Sequence, residues 1–251
     1  MFEYRIEDKP SRTVIAHWFL MSFNAGCINA GGFLATGRFV SHVTGFATLF
    51  GVDLAERKYE AALGILSVPL FFLLGSFIAG MLIDRPIFQK KKPHFDYVMA
   101  LSALCLLLTG TIGEFTQAGV FIGGATKLKQ AYTLLVLLCL ACGLQNGALT
   151  TSTGRNVRTT HLTGLLTDLG LGLARLLSFR ARDKRLVQEV EAEWLRAGSI
   201  AAFVLGSAAG ALFFSRLGYH GFLLPAAIAA YAAWHGRRAK LAAHRQDTVE
   251  I

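Results

Sequence analysis

Two short polar motifs contain the residues of this chain whose types and spacing are suited to binding a solute. Residues 42–55 read HVTGFATLFGVDLA and residues 161–174 read HLTGLLTDLGLGLA, with identical residues at seven matching positions. In each motif a Thr-Gly pair opens an apolar run, as an N-cap residue opens a helix. A helix start that is buried in a membrane presents unpaired N–H groups and a partial positive charge, which suit an anion or a polar neutral solute.

The residues shared by the two motifs are therefore candidate substrate-binding residues. They are His42, Thr44, Gly45 and Thr48 in the first motif, and His161, Thr163, Gly164 and Thr167 in the second. We expect the first threonine of each motif to cap its helix and the glycine to allow close backbone approach. The histidines either hydrogen-bond or titrate near neutral pH. Tight helix packing is the alternative explanation of the same small residues.

Further polar residues lie inside apolar segments or break the repeat. Asn29 and Asn146 end matching G-x-x-N strings, Gln145 precedes Asn146, and Asp168 stands where the first motif has Leu49. Unpaired polar groups cost several kcal/mol in lipid, so they face a partner, a cavity or water. We predict that Asn29, Gln145, Asn146 and Asp168 belong to the same solute site, and hydrogen bonding between helices is the alternative.

The sequence carries no pattern typical of a catalytic, metal or cofactor site. No pair of carboxylates occupies the centre of an apolar segment, which argues against a divalent cation site. Cys139 and Cys142 form a C-x-x-C string, but no second pair and no histidine at ligand spacing accompany it. We interpret these cysteines as small packing residues and expect no catalytic residue, no metal and no cofactor.

The composition predicts a membrane protein. Of the 251 residues 53% are hydrophobic and only 16% are charged, with a mean hydropathy of +0.47, whereas soluble domains average about 25% charged residues. Segments of roughly 20 apolar residues cross a hydrocarbon core about 30 Å thick. Six segments approach this length: about 13–36, 61–83, 96–115, 130–150, 195–215 and 219–235.

The net charge of +9 does not indicate nucleic acid binding, because the distribution of Lys and Arg along the chain agrees with the predicted membrane topology. With the N-terminus in the cytoplasm, 18 Lys and Arg residues lie inside and 6 lie outside, as the positive-inside rule requires. Both termini are then cytoplasmic, and membrane lipids with anionic headgroups are the expected partners. A homo-oligomer is compatible with these features.

The two halves of the chain repeat one another. Repeat one covers about 13–116 and repeat two about 130–236, with a charged cytoplasmic or interfacial connection at 179–194. Three crossings per half would place the halves in inverted orientation, a transporter arrangement. This all-α polytopic fold has about six transmembrane helices in one membrane domain, and each repeat contains a short broken or re-entrant helix. If the two motifs spanned the membrane, eight helices and parallel repeats would result.

The chain resembles the YoaK-like family of bacterial membrane proteins, whose function is unknown. The resemblance rests on the motifs G-x-x-N, T-G-R, H-h-T-G-x-x-T and G-L-Q-N, in which h is a hydrophobic residue. The resemblance covers nearly the whole chain and implies a bacterial inner-membrane protein of about six helices, without implying a substrate. Members of that family commonly carry Asp at the position of Asn29 and a T-G-N string where this chain has Thr44-Gly45-Phe46.

Three functions fit these features. The first is a transporter or channel that binds a small polar or anionic solute between the two repeats. The second is an intramembrane enzyme that uses His42, His161 and Asp168, although no nucleophile–base pair accompanies them. The third is a structural or regulatory membrane protein in which the repeat serves packing alone.

Overall fold

A computed structural model describes residues 11–116, 128–153, 162–178 and 185–249. Over these residues the chain is all-helical, without a strand. The helices are α1 (Arg12–Thr36), α2 (Val43–Ala55), α3 (Tyr59–Leu82), α4 (Asp84–Phe88), α5 (Phe95–Thr116), α6 (Leu128–Ser152), α7 (Leu162–Ser178), α8 (Arg185–Leu217) and α9 (Leu223–Val249). A 3₁₀ turn, Gly218–Phe222, joins α8 to α9.

Several of these helices are suited to a membrane. Within the described ranges, four helical stretches are long and apolar enough to cross one: Tyr59–Phe88, Phe95–Thr116, Tyr132–Ser152 and Leu186–Arg238. Five of the six predicted segments fall in these stretches, and the first forms α1, whose hydropathy is reduced by His17, Asn24 and Asn29. The chain is therefore consistent with a multi-pass membrane protein.

The last of these stretches contains two helices that run in opposite directions. Its 53 residues would extend about 80 Å as one helix, far beyond a hydrocarbon core of about 30 Å. The chain turns instead at Gly218, whose φ of 54° is left-handed, a conformation that glycine adopts without steric cost. Two of the predicted segments thus correspond to α8 and to the first part of α9.

The central helices pair in two matching ways. Helix α1 packs along α8, and α3 packs along α6. The α1–α8 pair is parallel, because Phe19 fills the space beside Gly198 and Phe214 fills the space beside Gly31. The α3–α6 pair is also parallel. Ser67 of α3 bonds Tyr132 near the start of α6, and Thr151 near the end of α6 donates to Asp84, which follows α3.

The first helices of the two halves are antiparallel where they meet. Asn24 of α1 bonds Gln145 of α6, whereas Leu138 lies beside Gly32. Helices α5 and α9 are antiparallel as well, since Lys240 contacts His94 at one end and Tyr219 packs beside Gly113 at the other. We call the end of the bundle where α1 begins the near end, and the opposite end the far end.

Glycines bring both parallel pairs into backbone contact. A Cβ on Gly26 of α1 would overlap the carbonyl oxygen of Phe203 and lie 2.8 Å from the amide nitrogen of Ser207 in α8. A Cβ on Gly75 of α3 would overlap the carbonyl oxygen of Leu140 in α6. In the two crossings, Ser207 donates to the carbonyl of Gly26 at 3.3 Å, and Ser76 donates to the carbonyl of Gly143 at 3.2 Å.

After α1 the chain turns back into the bundle. Gly37 ends the helix in the left-handed conformation, with φ 68°, and its N–H bonds the carbonyl of Phe33. The carbonyl of Val40 then accepts a hydrogen bond from Cys139 at 2.9 Å, and Ser41 donates to Asn29 at 3.2 Å. Asn29 lies about 10 Å below the far end of α1 at 1.5 Å per residue. We call residues 37–41 the re-entrant segment, because they fold back beside the last two turns of α1.

Candidate functional site

The first motif starts a helix differently from the sequence prediction. Helix α2 begins at Val43, so His42 is the N-cap residue, and its side chain makes no capping hydrogen bond. The prediction that Thr44 caps the helix is therefore wrong for α2. Gly45 has a specific role, because a Cβ there would lie 2.7 Å from Nδ1 of His42. The glycine makes room for the histidine ring over the first turn of the helix.

The second threonine of each motif satisfies its hydroxyl group within its own helix. Thr48 donates to the carbonyl of Thr44 at 3.0 Å, and Thr167 donates to the carbonyl of Thr163 at 2.9 Å. All four threonines are exposed, as is Asp168. In this conformation the hydroxyl groups point to the surface of α2 and α7 and not into the bundle. His161 lies outside the described residues.

The two motifs lie on different helix pairs. Helix α2 packs on α3, while α7 packs on α8. Gly172 of α7 is buried against the Glu193 carboxylate of α8, and Arg175 bonds Glu189 at 2.6 Å. Gly164 is half-buried at the start of α7. Each motif thus has the helix that follows it in sequence as its main packing partner.

A buried chain of hydrogen bonds joins α1, α6 and α5. Asn24 donates to Oε1 of Gln145 at 3.2 Å, and Nε2 of Gln145 donates to the hydroxyl of Ser102 at 2.9 Å. Ser102 donates in turn to the carbonyl of Ala141 at 3.3 Å. The three side chains are at most 2% exposed. We call the contact between α1 and α6 the seam, and these side chains the seam network.

The seam network has one unmet hydrogen-bonding group. Oδ1 of Asn24 is buried and accepts no hydrogen bond from the described part of the chain. A buried acceptor without a donor costs about 1–3 kcal/mol, so a water or a solute group at this position would stabilise the seam. Of the predicted site residues, Gln145 belongs to the network, and Asn146 lies half-buried next to it in α6.

The network contains two residues that sequence reasoning did not place in the site. Asn24 is a polar residue in an apolar segment, but its equivalent at the repeat offset of 117 residues is Ala141, so the repeat gave no support for it. Ser102 is one small residue in a long apolar helix, and nothing in the sequence around it indicates a site residue. Asn29, by contrast, was predicted and lies half-buried, accepting a hydrogen bond from Ser41 of the re-entrant segment.

Other chemistry-bearing groups lie away from the seam network. The four cysteines are buried and unpaired, and among the described residues no three His, Cys, Asp or Glu side chains cluster as metal ligands would. A largely apolar groove of about 210 Å³ lies at the far end between α5 and the 3₁₀ turn. At its rim the carboxylate of Glu114 is 3.5 Å from Nδ1 of His220.

The comparisons with known proteins identify a family without a function. Residues 17–235 match the family described as "Protein of unknown function (DUF1275)", and the chain therefore belongs to it. The match begins inside α1 and ends inside α9, so it includes both motifs and the seam. No curated protein and no solved structure shows a detectable similarity to the chain. The YoaK-like name and the bacterial origin stay predictions.

Proposed function

We propose that this member of the DUF1275 family transports a small polar or anionic solute across a membrane, and that the solute passes along the seam between α1 and α6. The observation that carries the proposal is the seam network, a set of uncharged hydrogen-bonding groups buried between the two equivalent helices. Its unpaired acceptor, Oδ1 of Asn24, offers a position for a solute donor, which favours a neutral polar solute such as glycerol or urea over an anion without a donor such as nitrate.

The helix directions support an inverted repeat as the architecture of this transporter. The equivalent helices α1 and α6 meet in antiparallel orientation, and exchanging the two halves turns the α1–α8 pair into the α6–α3 pair. The glycine and serine contacts match under the same exchange. In inverted-repeat transporters the substrate site lies near the midplane where the repeats meet. The seam is the corresponding position here.

The re-entrant segment supplies a second feature of such sites. Ser41 and Val40 reach the level of Asn29 and Cys139, and α2 begins there with its 13 residues. At about 20 Å, α2 is too short to cross a membrane core of about 30 Å. Non-helical backbone at membrane depth is typical of protein-lined cavities and transport sites. We include Asn29 and Asn146 in the proposed route with the seam network.

Liposome flux tests this proposal. The purified protein is reconstituted and assayed with glycerol and urea by light scattering, and with nitrate and phosphate by ion-sensitive dyes. We expect one of these probes to enter at least tenfold faster than into empty liposomes. Asn24→Ala and Gln145→Ala should each reduce that rate at least tenfold, because each removes a polar group from the seam.

Thr109→Val is the matched control. Thr109 is also fully buried, but it lies in α5 and bonds the carbonyl of Cys105 in its own helix. Its replacement should leave the flux unchanged. Flux that is equally insensitive to the seam variants would place the route elsewhere. Absence of flux for every probe, with folded protein in the liposomes, would favour the structural interpretation in which the repeat serves packing.

A further inference from the structure

Two histidines, one buried and one half-buried, form a pair at the near end of the bundle, away from both sequence motifs. His17 of α1 is 6% exposed, and its ring centroid lies 4.5 Å from that of His235 in α9. Tyr231, one turn earlier in α9, stacks on His17 at 5.9 Å. The pair is two turns of α1 away from Asn24, so it is separate from the seam network.

The hydrogen bonding of His17 determines which of its nitrogens is available. Nδ1 lies 2.7 Å from the carbonyl oxygen of Thr13. A carbonyl can only accept, so Nδ1 carries the proton and the neutral ring has a lone pair on Nε2. That Nε2 is buried and has no hydrogen-bond partner among the described residues. Histidines that bind metals usually donate their other N–H to a carbonyl or carboxylate in this way.

His235 offers a second nitrogen in the same condition. Its Nδ1 is buried and, like Nε2 of His17, has no partner within the described part of the chain. Leaving two such nitrogens unpaired is costly, and both can act as lone-pair donors when the rings are neutral. Imidazole nitrogens are preferred ligands of zinc, copper and nickel.

We propose that His17 and His235 together bind one transition-metal ion, through Nε2 and Nδ1 respectively. With Zn–N bonds of about 2.0–2.1 Å, two imidazoles on a tetrahedral Zn²⁺ have ring centroids roughly 5 Å apart. The observed separation of 4.5 Å is within about 1 Å of this value. Since no third His, Cys, Asp or Glu joins the pair among the described residues, water completes the coordination. The site would tie α1 to α9.

Metal-dependent stability tests this site without reference to transport. Tag-free protein is stripped with EDTA, and its thermal unfolding is followed as ZnCl₂ is added, with MgCl₂ as the control ion because Mg²⁺ prefers oxygen ligands. At about 100-fold excess over the dissociation constant, we expect Zn²⁺ to raise the Tm by about 5 °C. Mg²⁺ should have no such effect. Because metal binding competes with protonation of imidazole, the effect should weaken as the pH is lowered.

Substitutions locate the ligands. His17→Gln and His235→Gln should each abolish the Zn²⁺ shift and the visible absorption that Co²⁺ gains when nitrogen ligands bind it. His220→Gln, at an exposed histidine of the far end, should keep both signals. If His17→Gln does not fold, the half-buried His235 decides the question alone. No Zn²⁺ shift in the wild type, or the same shift in the His235 variant, would overturn the proposal.

Discussion

The packing of α1 on α8 leads to a strong prediction about a single methyl group. Gly26→Ala places a Cβ 2.8 Å from the amide nitrogen of Ser207 and in overlap with the carbonyl of Phe203. Both obstacles are backbone atoms, which cannot rotate away as a flexible side chain can. The two helices must therefore separate by roughly 0.5–1 Å, a gap at which each atomic contact loses about a quarter to a half of its attraction.

The cost of this separation can be worked out from the contacts. Roughly twenty atom pairs, each worth about 0.1–0.2 kcal/mol, lose about 1 kcal/mol when weakened by a third. The hydrogen bond from Ser207 to the carbonyl of Gly26, at 3.3 Å, contributes about 1 kcal/mol more. Alanine returns up to about 1 kcal/mol through its higher helix propensity. The net destabilisation is then about 1–2 kcal/mol, which lowers the Tm by roughly 2–8 °C.

Thermal unfolding in detergent, followed by intrinsic fluorescence, measures this effect. Gly64→Ala is the matched control, since a Cβ at Gly64 of α3 meets no atom within 4 Å, and its Tm should stay level or rise slightly. Gly143→Ala tests the equivalent crossing, where a Cβ would overlap the carbonyl of Phe72, and should match Gly26→Ala. If Gly26→Ala and Gly64→Ala had the same Tm, the backbone contact at this crossing would be refuted.

Two further predictions concern the cysteines and the contact between α7 and α8. The four cysteine side chains are at most 4% exposed, so a membrane-impermeant maleimide should label none in the folded protein and all four after denaturation. Rapid labelling of the folded protein, read by mass spectrometry, would contradict the packing of α1, α5 and α6, which carry these cysteines. Arg175→Gln removes the ion pair with Glu189, in which Arg175 is 47% exposed. Exposed ion pairs contribute little to stability, so the Tm should fall by less than roughly 3 °C and the difference should shrink in high salt. A larger decrease in Tm that does not depend on salt would mean that Arg175 stabilises the contact between α7 and α8 through interactions other than this ion pair.

The sequence was sufficient for the helices because lipid imposes simple requirements on it. A run of about 20 apolar residues can be recognised from composition alone, and five of the six predicted segments coincide with strongly apolar helices. The matching strings Leu74-Gly75-Ser76 and Leu205-Gly206-Ser207 form the two crossings. The short helix α2 agrees with the expected short helix in the first half, because the apolar run of the first motif is too short to cross a membrane core.

The candidate site was harder to predict because its contacts depend on tertiary packing. The Thr-Gly pair of the first motif predicted a helix start, but the use of Gly45 to accommodate the His42 ring depends on the rotamer of that ring. The exposure of Thr44 and Thr48 depends on which side of α2 meets α3. Neither is encoded in residue type. Asn24 and Gln145 come together only because α1 and α6 cross at those positions.

The two halves match in their helix crossings, whereas the seam network is not duplicated. The crossings at Gly26 and Gly143 correspond, yet the residues equivalent to Asn24 and Gln145 at the same offset are Ala141 and Ile28. A solute bound at the seam would therefore meet different hydrogen-bonding groups on α1 and on α6.

The unpaired polar atoms are also unevenly distributed along the length of the bundle. Six of those that are buried without a partner among the described residues lie in the near half of the bundle: His17 Nε2, Ser22 Oγ, Asn24 Oδ1, Thr150 Oγ1, Ser199 Oγ and His235 Nδ1. The far half of the seam is closed by apolar or weakly polar side chains, among them Ile28, Leu138 and Val40. If the seam carries solute, the near half is the part that can hold a polar molecule in this arrangement. Release at the far end then requires these apolar side chains, and the re-entrant segment that contributes Val40, to move apart.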